Sequence, residues 1–492
     1  MKILMVYPEY PDTFWSYRHA LKFVSKKSTH PPLGLLTVGA MLSRDWELRL
    51  IDMNVENLKY DDIKEADYVF ISAMVVQKQS AKKIINKCNE LGTKIVAGGP
   101  LFTAEYEEFE SVDHFVLDEA EKSLPPFLED LKNGCPKHIY RANGYPDLEK
   151  TPSPNWSLLN MKKYQSMNLQ YSRGCPFNCE FCNITALFGR QVRTKNKDQM
   201  VKELDDLYNK GWRGGVFIVD DNFIGNKTKL KEDVLPSMIN WMEKHNHPFF
   251  FSTEASINLA DDEELMRLMV EAGFNMVFVG IETPNEESLA ECNKFQNKNR
   301  DLVMCIKKMQ RAGLQVTGGF IVGFDSDPPS IFEKQIEFIQ NSGIVTAMVG
   351  LLNAPRGTRL YKRLQEEGRI LKDFTGNNTD FSINFIPKIN HETLLAGYKN
   401  IIDGIYSPQP YYERVKRFLK DYQPLQKRAF HFHYRYLEAL VKSIWLLGIR
   451  DRARKYYWKL FFWSLFKQPR LFPLAITYLI HGFHFRKVFN SQ

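Results

Sequence analysis

The stretch YSRGCPFNCEFC, residues 171–182, decides the fold of this chain. It places Cys175, Cys179 and Cys182 within eight residues, in a CxxxCxxC pattern, after a run that predicts a strand. Thiolates this close converge on one metal centre, and an iron–sulfur cluster is the usual occupant of such spacing. Three thiolates leave one iron of a four-iron cluster open to a substrate or cofactor. A structural zinc knuckle is the alternative, although no fourth Cys or His follows closely.

Strands and helices alternate from this motif to about residue 370. The sequence predicts six strands in this range, and a helical pattern follows each of them. Eight such units close a full barrel, so six predict a partial, open (β/α)6 barrel over residues 167–370. Its active site is expected at the carboxyl ends of the strands. The predicted strands are residues 168–173, 215–220, 249–255, 276–282, 315–324 and 347–352.

A separate alternating series precedes the barrel. Residues 1–135 contain five short apolar runs with helical patterns between them, which predict a doubly wound parallel sheet covered on both faces. Residues 136–166 include four prolines and little periodicity, so they are interpreted as a linker. Residues 371–492 are expected to form a mostly helical C-terminal domain, which completes an α/β protein. The strands predicted in the first series are residues 2–7, 47–52, 68–73, 94–99 and 114–117.

The composition excludes several classes of protein. Of 492 residues, 44% are hydrophobic and 25% are charged, which excludes a wholly disordered or collagen-like chain. The seven cysteines, an odd number, argue against a disulfide framework. No apolar run reaches the length of about 18 residues that indicates a spanning helix, and the first residues do not resemble a secretory signal. The protein is therefore expected in the cytoplasm.

The cysteine motif and the six units around it resemble the radical S-adenosylmethionine (radical SAM) superfamily. In that family three cysteines hold a 4Fe–4S cluster, the open iron binds S-adenosylmethionine (SAM), and reductive cleavage releases a radical that abstracts hydrogen from a substrate. The resemblance implies that Cys175, Cys179 and Cys182 hold the cluster. It also implies that Phe181 packs near the adenine of SAM, and that a donor such as flavodoxin or ferredoxin supplies the electron.

Acidic residues at three strand ends match positions that bind SAM in this superfamily. Asp220 and Asp221 end the second strand, where the family more often has a glutamate that accepts hydrogen bonds from the amino group of SAM. Glu254 ends the third strand and resembles the carboxylate that binds the ribose hydroxyls. Glu282 ends the fourth strand and is expected to line the same cavity. Solvated loop residues or caps are the alternative for all four.

Two later segments also match the family. TGGFIVGF, residues 317–324, resembles its glycine-rich fifth strand, where Gly318 and Gly319 let the adenine approach the backbone. NAPRGTRLY, residues 353–361, resembles the loop after its sixth strand. Arg356 in that loop is expected to meet the carboxylate of SAM or the substrate.

A doubly wound domain before such a barrel resembles the cobalamin-binding subclass. Ser72, Gly98 and Gly99 are small residues at strand ends that would admit the nucleotide tail of cobalamin. Many cobalamin domains carry a cobalt-binding His in the pattern Asp-x-His-x-x-Gly, but Asn54 stands there in this chain, so this loop is expected to supply no imidazole. A degenerate domain without a corrin is the alternative. The matching segments are HPPLGLLTVGAML (30–42), IDMN (51–54), ISAMV (71–75), AGGP (97–100) and DEAE (118–121).

The last part of the chain combines positive charge with aromatic side chains. Residues 411–492 contain 17 Lys or Arg against 4 Asp or Glu, and 21 of these 82 residues are Phe, Tyr or Trp. Basic residues interleaved with aromatic ones favour a segment that lies in the headgroup plane of an anionic membrane. A helical cap packed on the barrel is the alternative, and a surface for single-stranded nucleic acid is less favoured.

These features together predict an enzyme that uses cobalamin to methylate an unactivated carbon of an apolar or lipid substrate, similar to the hopanoid methylase group. One alternative keeps the radical without methyl transfer, and it gives a cyclisation, rearrangement or oxidation of a lipid or natural product. Another is an RNA-modifying radical enzyme, although the first domain lacks the clustered cysteines of tRNA methylthiotransferases. The enzyme is expected to contact the inner face of the membrane peripherally.

Overall fold

The computed structural model describes residues 1–424 and 434–490, which form an α/β protein with two parallel sheets and a mostly helical C-terminal region. The strands of the described chain are β1 (Lys2–Tyr7), β2 (Glu47–Asp52), β3 (Tyr68–Ser72), β4 (Lys94–Gly98), β5 (His114–Val116), β6 (Ile139–Tyr140), β7 (Ser166–Leu169), β8 (Ser172–Arg173), β9 (Arg193–Thr194), β10 (Gly214–Ile218), β11 (Phe249–Glu254), β12 (Phe274–Glu282), β13 (Gln315–Val322) and β14 (Ala347–Leu351).

The α-helices alternate with these strands and then continue alone. They are α1 (Arg18–Leu21), α2 (Leu33–Met41), α3 (Tyr60–Lys64), α4 (Lys78–Leu91), α5 (Pro100–Glu105), α6 (Ala120–Lys132), α7 (Ile184–Phe188), α8 (Lys197–Asn209), α9 (Lys227–Lys229), α10 (Leu235–Lys244), α11 (Glu263–Ala272), α12 (Glu286–Glu291), α13 (Leu302–Arg311), α14 (Ile331–Ser342), α15 (Arg359–Glu366), α16 (His391–Tyr406), α17 (Pro408–Asp421), α18 (Tyr434–Ser443), α19 (Arg454–Lys467) and α20 (Phe472–Asn490). Two π-helical segments, Leu230–Val234 and Ile444–Arg450, continue α9 and α18.

The first sheet is doubly wound, as predicted. Its six parallel strands run in the order β2-β1-β3-β4-β5-β6, so the strand order reverses beside β1. Alternate residues of each strand face opposite sides, and each side has its own core. Met5 on β1 packs in the core that includes α2 and α6, whereas Val6 packs in the core that includes α4 and α5. Ligands bind such sheets at the carboxyl ends of the strands beside the reversal.

The second sheet has the partial barrel topology that the sequence predicts. Six parallel strands follow each other in chain order, β7-β10-β11-β12-β13-β14, and the first and last strands are not paired with each other. Helices cover the outer side, where Trp241 of α10 stacks on Phe249 of β11 with ring centroids 5.3 Å apart. The inner side faces the space between the strands, and their carboxyl ends meet at one rim.

Helices α16 to α20 pack on the outside of the barrel and on the first domain. The hydroxyls of Tyr398 and Tyr406 on α16 donate to carbonyl oxygens of β14, at 3.0 and 2.7 Å. Phe485 of α20 stacks on Phe14, which lies in the loop between β1 and α1. Across the described ranges, no helix combines the length and apolarity needed to span a membrane.

Two predicted boundaries differ from the structure. The range interpreted as a linker contributes β6, a two-residue strand that extends the first sheet beside β5. The first barrel strand, predicted as residues 168–173, ends at Leu169, and residues 172–173 instead form an antiparallel pair with β9. The break has a side-chain cause, because Asp220, just after β10, accepts hydrogen bonds from the N–H groups of Tyr171 and Ser172.

Candidate active site

The cysteine motif lies in a loop at the carboxyl end of the second sheet. It follows β8, whose antiparallel partner β9 closes the loop from the other side. Gly174 precedes Cys175 with φ +89°, and a Cβ there would lie 2.5 Å from the carbonyl oxygen of Gln191. A residue with a side chain does not fit this position, which gives a physical reason for the glycine before the first cysteine.

Ion pairs tie this hairpin to the first domain. Arg173 pairs with Glu119 at 2.7 Å and with Glu121 at 2.8 Å, and Arg193 pairs with Glu119 at 2.8 Å. All four side chains are at most 12% exposed. Glu119 and Glu121 belong to the DEAE segment at the start of α6, so the cysteine loop is positioned by the carboxyl edge of the first sheet. Buried, mutually satisfied charges fix geometry more than they add stability.

The adjacent acids Asp220 and Asp221 have different surroundings. Asp220 is fully buried, and its carboxylate accepts from the Tyr171 N–H at 2.8 Å and from the Ser172 N–H and hydroxyl at 2.7 and 2.6 Å. The structure therefore gives Asp220 a role in positioning the chain before the motif, in place of the predicted contact with SAM. Asp221 Oδ2 is also buried but has no hydrogen-bond partner among residues 1–424 and 434–490. Burial raises the pKa of Asp221 to about 6.

Three further ionisable side chains lie near the same rim: Glu254, Glu282 and Lys294. Glu282 has a φ of +65° after a register shift between β12 and β13, and its carboxylate pairs with Lys294 at 2.7 Å. Burial raises the pKa of Glu254 to about 8, the Asp221 charge adds to this rise, and Lys294 opposes it. Three of the four predicted acids thus share one electrostatic environment, in which carboxylate oxygens can accept from an ammonium or hydroxyl group.

The three cysteines are suited to a cluster. Burial raises the pKa of Cys182 to about 12 and also raises that of Cys175, whereas the positive charge of Lys294 opposes the rise at both. Metal binding must therefore displace their protons. Sulfurs on one zinc ion lie about 2.3 Å from it and hence within about 4.6 Å of each other. In the described chain, only one set of three metal-binding side chains lies within 4.8 Å of one another, and it does not include the cysteines. The sulfurs of the three cysteines are therefore spaced more widely than on a single zinc ion, which favours a multi-iron cluster.

The predicted adenine contacts have packing explanations of their own. Phe181 lies 6.3 Å from Phe324, between ring centroids, near the end of β13. Gly318 and Gly319 lie inside β13, and a Cβ on Gly319 would be 2.7 Å from the ring of Phe278. Neighbouring rings of the chain itself fill this space. Contact of these three predicted residues with SAM stays a prediction.

The loop after β14 contacts other parts of the chain instead of pointing freely into the barrel. Arg356 pairs with Asp373 at 2.6 Å and with Glu108 of the first domain at 3.2 Å. Its predicted contact with SAM or substrate would require these pairs to open. Further along, Arg363 pairs with Glu180 inside the cysteine motif at 2.8 Å. The segment thus supports the cluster loop through a residue that the sequence did not single out.

The carboxyl edge of the first sheet fits a large neutral ligand. Ser72, Gly98 and Gly99 end β3 and β4, are each partly exposed, and present little side-chain bulk. Gly99 has φ +88°, and a Cβ there would lie 2.6 Å from Ser72 Oγ. Asn54 is held inside the domain, because its side chain donates to Asp52 at 2.8 Å and accepts from Tyr10 N–H at 3.0 Å. Binding of cobalamin without an imidazole from this loop stays a prediction.

The inner side of the second sheet combines apolar side chains with polar ones, since strand register also assigns Asn168, Ser252 and Thr317 to it. A Cβ built on Gly215 would lie 2.9 Å from the ring of Phe250, so Gly215 and Phe250 lie on the same face of the sheet. Phe250 is 40% exposed on this face. Trp15, from the loop after β1, packs edge-on against Phe278 at 5.5 Å and is 39% exposed. Strand register assigns further apolar side chains to the same face: Phe217, Met276, Ile321 and Met348.

Several of these residues were not identified from the sequence. Lys294, Arg363 and Trp15 contact the site from segments that have no motif of their own. Arg173 lies beside the cysteine motif, but its partners are more than fifty residues earlier in the chain. Long-range pairs of this kind have no local periodicity, so a single sequence offers no signal for them.

Three parts of the chain match known families. Residues 169–339 match the Radical SAM superfamily, and residues 23–128 match the B12 binding domain. Residues 358–492 match a domain of unknown function, DUF4070. The order of the matches agrees with the two sheets and the helical region described above.

Whole-length relatives share this order. An uncharacterized methyltransferase of Synechocystis sp. is 42% identical over 490 residues, which cover 99% of this chain and 91% of that protein. The hopanoid C-2 methylase of Rhodopseudomonas palustris is 31% identical over 475 residues, which cover 93% of this chain and 88% of that protein. The solved structure of OxsB, a cobalamin-dependent SAM radical enzyme with aqua-cobalamin bound, has the same fold, with a TM-score of 0.64 at 14% identity over 100% of this chain and 80% of that one.

Proposed function

Because the chain belongs to the cobalamin-dependent radical SAM methyltransferases, we propose that it methylates an unactivated carbon of an apolar, hopanoid-like lipid. The observation that supports this proposal is the set of exposed aromatic side chains on the inner face of the second sheet. Rings such as Phe250 and Trp15 offer contacts to a hydrocarbon. The hopanoid methylase relative supports the same substrate class.

The cofactors are a 4Fe–4S cluster, SAM and cobalamin, and the enzyme requires a reductant. When bound, the cluster supplies the electron that cleaves SAM, and cobalamin supplies the carrier for the methyl group. In the proposal, Cys175, Cys179 and Cys182 hold the cluster and a flavodoxin or ferredoxin reduces it. Asp221 and Glu254 accept hydrogen bonds from the amino and hydroxyl groups of SAM, because their buried carboxylates have raised pKa values and gain from a positive or donating partner.

The aromatic side chains of this face have a second role, since radical chemistry requires that water and other hydrogen donors stay away from the reacting carbon. Phe250 and Phe278 exclude water from the space below the rim. The carboxylates stay at the rim itself, at the ends of β10 to β12, so polar SAM and an apolar substrate meet at the boundary between the two zones.

The substrate class is tested with the anaerobically purified full-length enzyme and a polycyclic triterpenoid in mixed micelles. We expect a product heavier by one CH2 group. Phe250→Ser should raise the KM for the triterpenoid several-fold and leave SAM cleavage without substrate unchanged. Met304→Ser, at an exposed apolar residue of α13, is the matched control and should change neither. A product of unchanged mass or one lacking hydrogen would favour cyclisation, rearrangement or oxidation, and methylation of RNA alone would contradict the proposal.

We further propose that the enzyme reaches this substrate at a membrane through the tail hairpin, which we define as residues 434–467. Eight of the nineteen exposed large apolar residues in the described chain lie in this segment. Leu437, Val441, Trp445 and Ile449 recur every fourth residue and are 49–58% exposed. Residues at this spacing share one side of a helix, so the hairpin presents a continuous apolar strip to its surroundings.

The second helix of the hairpin adds aromatic rings and positive charge. Phe462 is 50% and Phe466 is 74% exposed. The hairpin contains eight Lys or Arg against two acidic residues, and Arg452, Lys455 and Lys459 are exposed. Each basic residue near an anionic bilayer contributes about 1 kcal/mol, and insertion of the rings adds affinity that salt does not remove. An anionic lipid surface therefore fits both properties of the hairpin.

The hairpin also has an inner face, as the cap interpretation requires. Ala439, Leu447 and Tyr457 are buried against α20 and the first domain. Packing and membrane contact thus use opposite sides of the same helices. Deletion would remove both, so substitutions on the outer side are the appropriate test.

Flotation with liposomes tests the membrane contact. The triple charge reversal Arg452→Glu, Lys455→Glu and Lys459→Glu should weaken binding to anionic liposomes and should leave the apolar contacts intact. Phe462→Ser with Phe466→Ser should weaken binding even at high salt. The wild type should bind anionic better than neutral vesicles. If wild type fails to float, or floats no better than the charge-reversed variant, then the hairpin is a structural cap.

A further inference from the structure

A second group of metal-binding side chains lies far from the cysteine motif in the sequence. Asp12 and His19 belong to the segment that follows β1, and His484 lies on α20. One ligand atom from each of the three lies within 4.8 Å of the others, and this is the only such group of three in the described residues. Two imidazoles and one carboxylate are ligands that Zn2+ binds readily.

The histidine from the last helix is already arranged as a metal ligand. His484 is fully buried, and its Nε2 lies 3.0 Å from the carbonyl oxygen of Phe14. Its other nitrogen, Nδ1, is buried and has no hydrogen-bond partner in the part of the chain that the structure describes. Metal-binding histidines usually donate their second ring N–H to a carbonyl or carboxylate, which fixes the tautomer and leaves the other nitrogen free to coordinate.

The carboxylate is oriented in a comparable way. Ser16 is buried, and its hydroxyl donates to Asp12 Oδ1 at 2.8 Å. The remaining oxygen, Oδ2, lies 2.6 Å from His19 Nε2. A divalent ion would take the place of this hydrogen bond and use both atoms as ligands.

The buried imidazole of His484 thus has an unused nitrogen in a group that also contains a carboxylate. It lacks hydrogen bonding that a metal ion would restore.

We propose that Asp12, His19 and His484 bind one zinc ion, with a solvent molecule as the fourth ligand. The ion would join the first loop of the chain to its last helix. Ile476 and Ile480 of that helix pack under Leu447 of the tail hairpin, so the zinc would fix the base on which the hairpin lies. This inference is independent of the substrate and the membrane contact proposed above.

The test measures zinc in the anaerobically purified holoenzyme and in three variants, after dialysis against stoichiometric zinc. Wild type should retain one equivalent of zinc in addition to the cluster iron. His19→Ala and Asp12→Asn change partly exposed residues, so they should fold, lose the zinc and keep the iron. His481→Ala is the control: it removes a partly buried imidazole one turn earlier on the same helix, whose Nδ1 also lacks a partner among the described residues, and it should keep the zinc.

X-ray absorption at the zinc edge separates this site from the cysteine motif. Nitrogen and oxygen neighbours without sulfur are expected, whereas sulfur neighbours would place the zinc on the cysteines and overturn the proposal. Zinc should also raise the thermal midpoint of wild type and of His481→Ala, but not of His19→Ala. Equal zinc content in wild type and His19→Ala, or no zinc in wild type, would show that the three residues form a hydrogen-bonded cluster only.

Discussion

The carboxyl edges of the two parallel sheets differ in the residues that follow their central strands. At the first edge Ser72, Gly98 and Gly99 present almost no side chain and no charge. At the second edge thiols, carboxylates and an ammonium group are crowded together, and burial raises the pKa of acids such as Glu254. Both edges bind ligands for the same topological reason, but they hold them by different physical means.

The difference follows from the ligands that the two edges receive. Cobalamin is large and brings its own metal and ligands, so the first edge needs space more than it needs charge. SAM is small and charged, and the cluster requires thiolates, so the second edge must supply charges and keep water away from them. The ion pairs of Arg173 with Glu119 and Glu121 join the two edges.

The largest effect is expected where the second edge loses its thiols. Substitution of Cys175, Cys179 and Cys182 together by Ala should abolish the visible absorbance of the cluster and all SAM cleavage, because no other ligands hold the iron. Cobalamin binding at the first edge should persist, which a corrin extraction would measure. Retained SAM cleavage in the triple variant would contradict the assignment of the cluster.

The complementary change blocks the first edge. Gly99→Ala places a Cβ 2.6 Å from Ser72 Oγ, so the two residues must shift, and the change should reduce bound cobalamin several-fold while iron content and SAM cleavage stay normal. Gly92→Ala is the matched control, since Gly92 also has a positive φ, +68°, but no atom within 4 Å of its Cβ position. Both variants should lose about 1–2 kcal/mol of stability, because residues with a side chain rarely adopt a positive φ. Gly99→Ala should lose more because of its contact with Ser72. Equal loss of cobalamin in both would mean that the edge residues do not shape the site.

The sequence predicted the strands of the two sheets better than it predicted the side-chain contacts that connect them. Strands were found within a few residues because apolar runs and turn signals are local. The exception, the first barrel strand, breaks after Leu169 because Asp220 takes the N–H groups of Tyr171 and Ser172 out of the ladder. β6 was missed because two residues in a proline-rich stretch carry no pattern.

The same limit applies to the site. The cysteines were identified by spacing, and the acids by their place at strand ends. Their separate roles were not, because only the fold shows that Asp220 is saturated by the backbone while Asp221 has an oxygen without a partner in the described chain. Lys294 was missed for a related reason, since its partner Glu282 is brought to it by the register shift in β12.

An intermediate effect should separate these two acids. Asp221→Asn removes the carboxylate that we propose accepts from the amino group of SAM, so the Kd for SAM should rise about tenfold or more, as for a lost charge-assisted hydrogen bond of about 1.5–3 kcal/mol, with the cluster intact. Asp220→Asn places an amide N–H against backbone donors and should lower the iron content instead. Isothermal titration and iron analysis distinguish the outcomes. The reverse pattern would return Asp220 to the cofactor contact that the sequence suggested.

The smallest effect concerns pH and isolates one acid of the second edge. The pKa of Glu254 is raised to about 8 in the folded protein, against about 4.3 in an unfolded chain. The protonated carboxyl therefore stabilises the folded protein at low pH. This contribution to the free energy of unfolding is lost as the pH rises from about 5 through 8. Glu254→Gln cannot titrate, so the thermal midpoint of the SAM-free variant should fall less than that of wild type over this range.

Binding of SAM should depend on pH in the opposite direction to the stability of the SAM-free wild type. A ligand that donates hydrogen bonds to the Glu254 carboxylate favours the charged form, so SAM should bind wild type more tightly as pH rises towards 8. The variant should show a flatter dependence, because an amide accepts the same bonds without a change of charge. Other groups that titrate in both proteins cancel when the two curves are subtracted. Identical pH slopes for the two proteins, with and without SAM, would show that Glu254 is hydrated and takes no part in the charged edge. That result would make the two sheet edges more alike than the structure indicates.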